Sequence, residues 1–418
     1  RLRGNTDRHG LSIRVTPQPE RKRYTRDDYE PLHRHYRERV FQIHVMNEYA
    51  RLGLEKVRQA LELVLAYFSL DKTAFVKRFF PGRREILDRA TAHESYRSIV
   101  EDLHNAKQME IVASPEEGNL LIVAGPGSGK TRVVVHRCAW LLRVKRIPAS
   151  AILVLCFNRN AAVSLRRRLF DLVGPDAGGV AVLTYHGLAM RLTGTSFAEL
   201  VERGRGESPQ FNRLIPEALK LLRSGSEILG LEPDELRDRL LAGYQYILVD
   251  EYQDIDQEQY DLISSLTGRT EHDQDRRLTI LAVGDDDQNI YTWRGTNVKF
   301  IRQFRDDYRA EIHYLMENYR STLRIIAASN HLIGNNRDRM KTQHAIGINK
   351  GREHEPPGGE WEDRDPLSRG RVQLMDAADG YDQAAALAGE LKRLKELKPD
   401  LLWSDCAVMA RAHETLAP

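Results

Sequence analysis

The stretch Asn119-Leu-Leu-Ile-Val-Ala-Gly-Pro-Gly-Ser-Gly-Lys-Thr-Arg132 decides how this chain is read. The apolar run Leu120 to Val123 predicts a buried strand. It breaks into Gly125, Pro126, Gly127, Ser128 and Gly129, then into Lys130 and Thr131, and from Val133 the pattern turns helical. Strand, glycine loop and helix are the context that a phosphate-binding loop needs. Glycines let backbone N–H groups curl around a polyphosphate without a side-chain clash. The following helix N-terminus adds partial positive charge. In such a loop Lys130 reaches the β and γ phosphates, and the Thr131 hydroxyl ligates Mg²⁺. Ala124 stands where the pattern usually opens with glycine, and it is small enough to fit.

With 418 residues, the chain has material for about two or three domains with real cores. Its formal net charge of +3 excludes a polycation. The first 40 residues carry eleven Lys or Arg against six Asp or Glu, which reads as a solvated arm or a nucleic-acid contact. Cys138, Cys156 and Cys406 are scattered, which argues against a disulfide framework and a thiolate zinc site and fits a reducing cytoplasm. No apolar run approaches the ~18 residues of a membrane span, and no signal-peptide pattern opens the chain. The first residue is Arg1, so the chain is expected to be a piece of something longer.

Residues 1–23 read as a basic arm or linker, and residues 24–100 as a helical extension. Val40, Ile43, Met46, Ala50 and Leu54 recur at helical spacing, and Val57, Leu61, Val64 and Phe68 continue the series. His33 and His35 do not share a helix face and read as surface histidines. A βα rhythm follows, with strands at Leu120–Val123, Ala151–Phe157 and Val180–Thr184, a helical insertion over 188–243, and strands at Tyr246–Val249 and Leu278–Val283. This alternation predicts an α/β fold with a parallel sheet. A new unit is expected over 318–418, with helices at Thr322–Ile333 and Tyr381–Leu397 and strands at Arg371–Met375 and Cys406–Ala410.

A second chemical element is Ile247-Leu-Val-Asp-Glu-Tyr-Gln-Asp254. An apolar strand ends there in adjacent carboxylates, with Asp250 placed to hold Mg²⁺ and Glu251 to orient or deprotonate an attacking water. A third is Leu281-Ala-Val-Gly-Asp-Asp-Asp-Gln-Asn-Ile-Tyr-Thr-Trp-Arg-Gly295. Gln288 suits the sensing of a γ-phosphate. Tyr291 and Trp293, beside Arg294, supply either a base-stacking platform or buried structural rings.

These segments resemble superfamily 1 helicases of the UvrD/Rep/PcrA type. The likeness rests on Ala124–Thr131, Val249–Asp254, Val283–Gly295 and Glu317-Asn-Tyr-Arg-Ser-Thr322, in the family's order, and covers about residues 101–418. It implies a RecA-like first domain over 101–187 and 244–317, interrupted by a helical subdomain at 188–243, and a partial second RecA-like domain from 318. The resemblance implies an adenine-reading role for Gln108, adenine stacking by Tyr319 and an arginine finger in Arg320. It also extends the nucleotide-contacting set to Arg132, and it points Phe157, Asn158, Tyr185 and His186 toward single-stranded DNA. Asn158 departs from the family's usual Thr, and Tyr185 from its usual Phe. For Phe157 and Tyr185, burial in the core is the competing reading. The insertion is short for the family, and the later motifs have no counterpart before Pro418. The extension over Tyr24–Phe80 resembles the helical part of the zinc-binding region of RecQ helicases, without its cysteines.

The expectation is therefore the ATP- and Mg²⁺-dependent motor core of a cytoplasmic DNA helicase or translocase, acting on single-stranded DNA and single-strand/duplex junctions without a membrane partner. A nucleotide-binding module that binds DNA without turnover and a P-loop ATPase acting on protein are the alternatives.

Overall fold

A computed structural model describes residues 93–196, 211–224, 243–269 and 277–410, with residue 241 and most of 42–81. The basic arm, the His33/His35 pair and the first part of the helical extension lie outside the described residues. Two compact units emerge, one through His93 and the other from Glu94 onward. Among the described residues, no helix is long and apolar enough to cross a membrane.

In the first unit, α1 (Val57–Ser69) and α2 (Lys72–Phe79) share a small core of Ala60, Leu63, Ala66, Phe75 and Phe80. The continuous helical run expected here breaks at Leu70–Asp71. The Asp71 carboxylate accepts hydrogen bonds from the Thr73 and Ala74 amides, both at 3.0 Å, and so starts a new helix. The expected apolar stripe is also corrected. Val57, Leu61 and Phe68 are 63%, 55% and 82% exposed, and the inward face is Ala60, Leu63 and Ala66. The two alanines leave room for the ring of Phe75, which is 1% exposed.

The second unit begins within α3 (His93–Ile99) and continues into α4 (Ala106–Val112). Its centre is a six-stranded sheet of β1 (Leu120–Ala124), β2 (Ile152–Cys156), β3 (Ala181–Thr184), β4 (Tyr246–Val249), β5 (Thr279–Gly284) and β6 (Glu311–Leu315). The order is β3-β2-β4-β5-β1-β6, and every pairing is parallel. β1, β2 and β4 are buried along their whole length, as apolar runs covered on both faces should be. α4, α5 (Lys130–Arg143) and α6 (Arg159–Val173) cover one face. The other carries α7 (Tyr185–Thr193), α8 (Leu214–Ser224), α9 (Gln257–Thr267) and α10 (Lys299–Tyr308). This is the RecA-like α/β arrangement.

Three expectations change. β6 was not foreseen, because Glu-Ile-His-Tyr-Leu is short and polar at its start. Its position beside β1, with Leu315 opposite Ala124, makes it a strand. The described helices of 188–243 do not stand apart. Leu188, Leu192, Leu214, Ala218 and Leu222 join the core on the sheet's second face. The strands expected at Arg371–Met375 and Cys406–Ala410 do not form. A strand needs a hydrogen-bonded neighbour, and these segments have none among the described residues; Leu374 is fully exposed. Beyond β6 the described elements include β7 (Glu317–Asn318) paired with β8 (Gly347–Ile348), and the longer helices α11 (Leu323–Ile333) and α12 (Gly380–Leu397).

Two arginine contacts, one buried and one partly exposed, brace this unit. Arg137 on α5 is 2% exposed and donates to the carbonyls of Val112, Ser114 and Pro115 at 3.0, 2.5 and 2.9 Å. It thereby holds the turn that feeds β1. Arg137→Met should lower unfolding free energy by about 3 kcal/mol in urea melts, because buried carbonyls lose a charged donor. Arg137→Lys should recover little, because one ammonium cannot span the fork.

On α12, Arg393 grips the Asp365 carboxylate at 2.9 and 2.7 Å. That contact, and bonds from Ser368 and Leu367, hold the Asp365 carboxyl well below the ordinary range. A depressed carboxyl contributes stability above its unfolded value of about 3.9 and loses it as pH falls through the folded value. Asp365→Asn should therefore flatten the acid limb of a stability–pH profile, with little gain at low pH.

Candidate nucleotide site and nucleic-acid face

All six parallel strands end at one edge, where ligands bind in open α/β sheets. The loop after β1 supplies Gly125 to Gly129. Gly127 and Gly129 have φ of +67° and +86°, which a side chain would oppose. The Ser128 hydroxyl ties the loop by donating to the Gly125 carbonyl at 2.7 Å. Lys130 begins α5 and is 10% exposed. Its Nζ donates to Gln288 Oε1 at 2.8 Å and lies 3.6 Å from Glu251 Oε2 and 3.9 Å from Asp285 Oδ2. Lys130, Thr131, Glu251, Gln288, Tyr319 and Arg320 all line one cleft of about 320 Å³. Ala124 is the last residue of β1 and is fully buried.

β4 delivers the carboxylates. Asp250 is 3% exposed and accepts from the Thr131 hydroxyl at 3.1 Å. Burial, then the nearby Glu251 charge, pushes its pKa up to about 6. A divalent cation would reverse that shift, and a hydroxyl beside a carboxylate is a hard-oxygen pair suited to Mg²⁺. Thr131 and Asp250 therefore fit the ion the sequence implied. Glu251 sits in the left-handed region at φ 54°, unusual for a residue with a side chain. Gln253 steadies it, donating from Nε2 to Glu251 Oε2 at 3.0 Å while its side-chain Oε1 accepts the Asp285 amide.

β6 and β7 bring the far wall. The Gly125 amide donates to the Leu315 carbonyl at 2.8 Å, and the Tyr319 amide to the Gly127 carbonyl at 2.9 Å. Asn318, 2% exposed, does the rest. Its Nδ2 donates to the Pro126 carbonyl at 2.8 Å, and its Oδ1 accepts the amides of Arg320 and Ser321 at 2.8 and 2.7 Å. This turn presents Tyr319 and Arg320 to the cleft. Asn318 lies within the Glu317–Thr322 segment but carries no role in the sequence pattern. An Asx-type residue just before the aromatic–arginine pair was the available signal. Arg168 on α6 also lines the cleft and was missed; an arginine in a run of three carries no sequence signal of its own.

Gln108 is 1% exposed, so it is not a surface glutamine. Its Nε2 donates to the Ser128 carbonyl at 2.9 Å, and its Oε1 has no hydrogen-bond partner. An orphaned buried acceptor against the loop is what an adenine amino group would satisfy. Arg132 donates to the Asp102 carbonyl at 2.9 Å and also lines the cleft.

The proposed DNA-facing residues divide. Phe157, after β2, stacks on Tyr291 with centroids 5.3 Å apart and planes at 25°. Trp293 is 69% exposed nearby in sequence. Asn158 caps α6, accepting the Ala161 amide at 2.8 Å, and remains at the surface. His186 is half-buried, with the Phe211 ring edge-on at 6.5 Å. Tyr185 is corrected. It is 2% exposed within the core under β2 and β4, leaving no face for a base.

Asn318→Ala should cost about 1–3 kcal/mol in chemical denaturation, since three backbone groups lose their partner. Amide exchange should accelerate at Arg320 and Ser321 ahead of global opening.

Residues 108–294 match a family model described as an AAA domain. DNA helicase II of Haemophilus influenzae is 30% identical over 378 residues, covering 74% of this chain and 48% of that protein. DNA helicase II of Escherichia coli is 33% identical over 309 residues, covering 58% and 42%. The ATP-dependent DNA helicase PcrA of Leuconostoc citreum is 28% identical over 385 residues, covering 74% and 47%. The chain spans about half the length of the curated relatives it matches. The loop, the carboxylates, Gln288 and Arg320 converge on one cleft, and over the shared stretch the chain is similar to superfamily 1 helicases of the UvrD/Rep/PcrA type.

Proposed function

We propose that this chain is the ATP-driven motor core of a DNA helicase or translocase that moves along single-stranded DNA. The observation that carries the reading is the cleft itself, where the Lys130 ammonium, Glu251, Gln288 and Arg320 surround one space. Gly125 to Thr131 cradle the phosphates, Gln108 reads the adenine edge, and Tyr319 with Arg132 flank the base. Thr131 and Asp250 would hold Mg²⁺, which would supply neutralising charge to the phosphate oxygens. Glu251 accepts a proton as the water oxygen bonds to the γ phosphorus and the bond to the β–γ bridging oxygen breaks. Lys130 and Arg320 stabilise the charge that spreads over the departing phosphoryl group. On this reading residues 318–418 belong to the near part of a second RecA-like domain.

Gln288 lies three residues before Tyr291 and five before Trp293, so γ-phosphate contact and base contact share one short turn. Loss of the phosphate would shift the turn and release the stacked base. Kinship favours 3′→5′ movement and action at single-strand/duplex junctions, in repair, recombination or defence.

In the intact protein, single-stranded DNA should raise ATP hydrolysis about tenfold or more, and Lys130→Ala should abolish turnover. Trp293→Ala should weaken oligo-dT binding about tenfold, the weight of one base stack. Strand displacement should favour a 3′-tailed over a 5′-tailed duplex. DNA binding with no salt dependence, or hydrolysis indifferent to DNA, would defeat the motor reading.

A further inference from the structure

Lys341 lies far from the glycine loop in sequence and carries no motif. Its side chain is wholly buried, as is that of Asp285. The Lys341 ammonium bonds Asp285 Oδ1 and lies 3.2 Å from both Asp286 Oδ1 and Asp287 Oδ2. Arg339 adds a two-pronged grip on Asp287 at 2.8 and 2.7 Å, and the Met340 amide donates to Asp286 at 2.7 Å. The segment 339–341 thus clasps the turn that begins at Asp285 and ends at Gln288.

The other oxygen of Asp285 is turned toward Lys130, which lines the nucleotide cleft. Oδ2 is buried, has no hydrogen-bond partner, and stands 3.9 Å from Lys130 Nζ. A buried carboxylate must be paired or neutralised. Its cations are Lys341, in contact, and Lys130, about one ångström short of contact. Remove Lys341 and Lys130 is the one cation left within 4 Å of Asp285 among the described residues, with Arg339 acting from farther off. Closing that gap would pull the Lys130 ammonium away from Gln288 and from the phosphates.

We propose that Lys341 is a positioning residue for nucleotide binding: it satisfies the Asp285 charge from behind, so that Lys130 stays directed at Gln288 and the phosphate cleft. Arg339 has a different part. It braces Asp287 and does not touch Asp285. Lys341 therefore sets the direction of the Lys130 ammonium, whereas Arg339 only fastens the turn. The inference rests on reading the cleft as a nucleotide site.

The test measures binding of a non-hydrolysable ATP analogue to the intact protein, with thermal unfolding alongside. Lys341→Met should raise the Kd about tenfold or more, the scale of one charge-assisted phosphate contact. Arg339→Met should leave the Kd within about twofold even where it lowers the melting temperature comparably. Lys341→Met/Asp285→Asn removes the stranded charge and should restore most of the lost affinity; it also serves where the single variant fails to fold. In turnover, the defect should enter mainly through KM. Equal losses from Arg339→Met and Lys341→Met, or a double variant as weak as the single, would reduce Lys341 to a fastening and overturn the proposal. A wild-type protein that binds no analogue would instead defeat the nucleotide-site reading.

Discussion

One ammonium group holds the parts of this cleft together. Lys130 Nζ lies within 4 Å of Gln288, Glu251 and Asp285, which come from two different strands of the sheet. A cation among acidic and amide oxygens, 10% exposed, sits where its direction is decided by small differences in distance. The glycine loop aims it, β4 and β5 deliver its partners, and everything that fixes those strand ends fixes it indirectly. Arg137 acts at one remove, by pinning the turn before β1. Asn318 acts from the opposite side, by pinning the loop's outer edge.

The parallel sheet makes this convergence cheap in chain length. β1 lies between β5 and β6, so three turns that are distant in sequence leave the sheet side by side. Gln288 follows β5, Arg320 follows β6 after a short β7, and Lys130 follows β1. The aromatic pair Phe157 and Tyr291 extends the same edge, because β2 and β5 flank β4.

Much of this was legible in the residues. The glycine loop, the apolar strands β1, β2, β4 and β5, and the paired carboxylates announce themselves through local pattern, since each requires residue types that little else requires. What escaped depends on neighbours distant in sequence. β6 is too short and too polar to stand out, and only β1 makes it a strand. Conversely, Arg371–Met375 has strand-like composition but no partner among the described residues. Tyr185 reads as a stacking residue, with core burial as the competing reading, until the sheet covers it. Lys341 and Asn318 are common residue types whose meaning lies wholly in what they touch. Within α1, alanines displaced larger apolar residues from the core because the ring of Phe75 occupies the volume.

Gly127 brings two of these constraints to one atom that is not there. A Cβ at this position would lie 2.9 Å from Arg320 Cβ and 2.9 Å from Asn318 Nδ2. The bare backbone that lets the loop curl also lets the Tyr319–Arg320 turn close over it. The two walls of the cleft are therefore not independently adjustable. Any residue larger than glycine would spoil the cradle and hold the arginine away in a single step. Sequence drift at Gly127 has no intermediate in which one wall is relaxed while the other is kept.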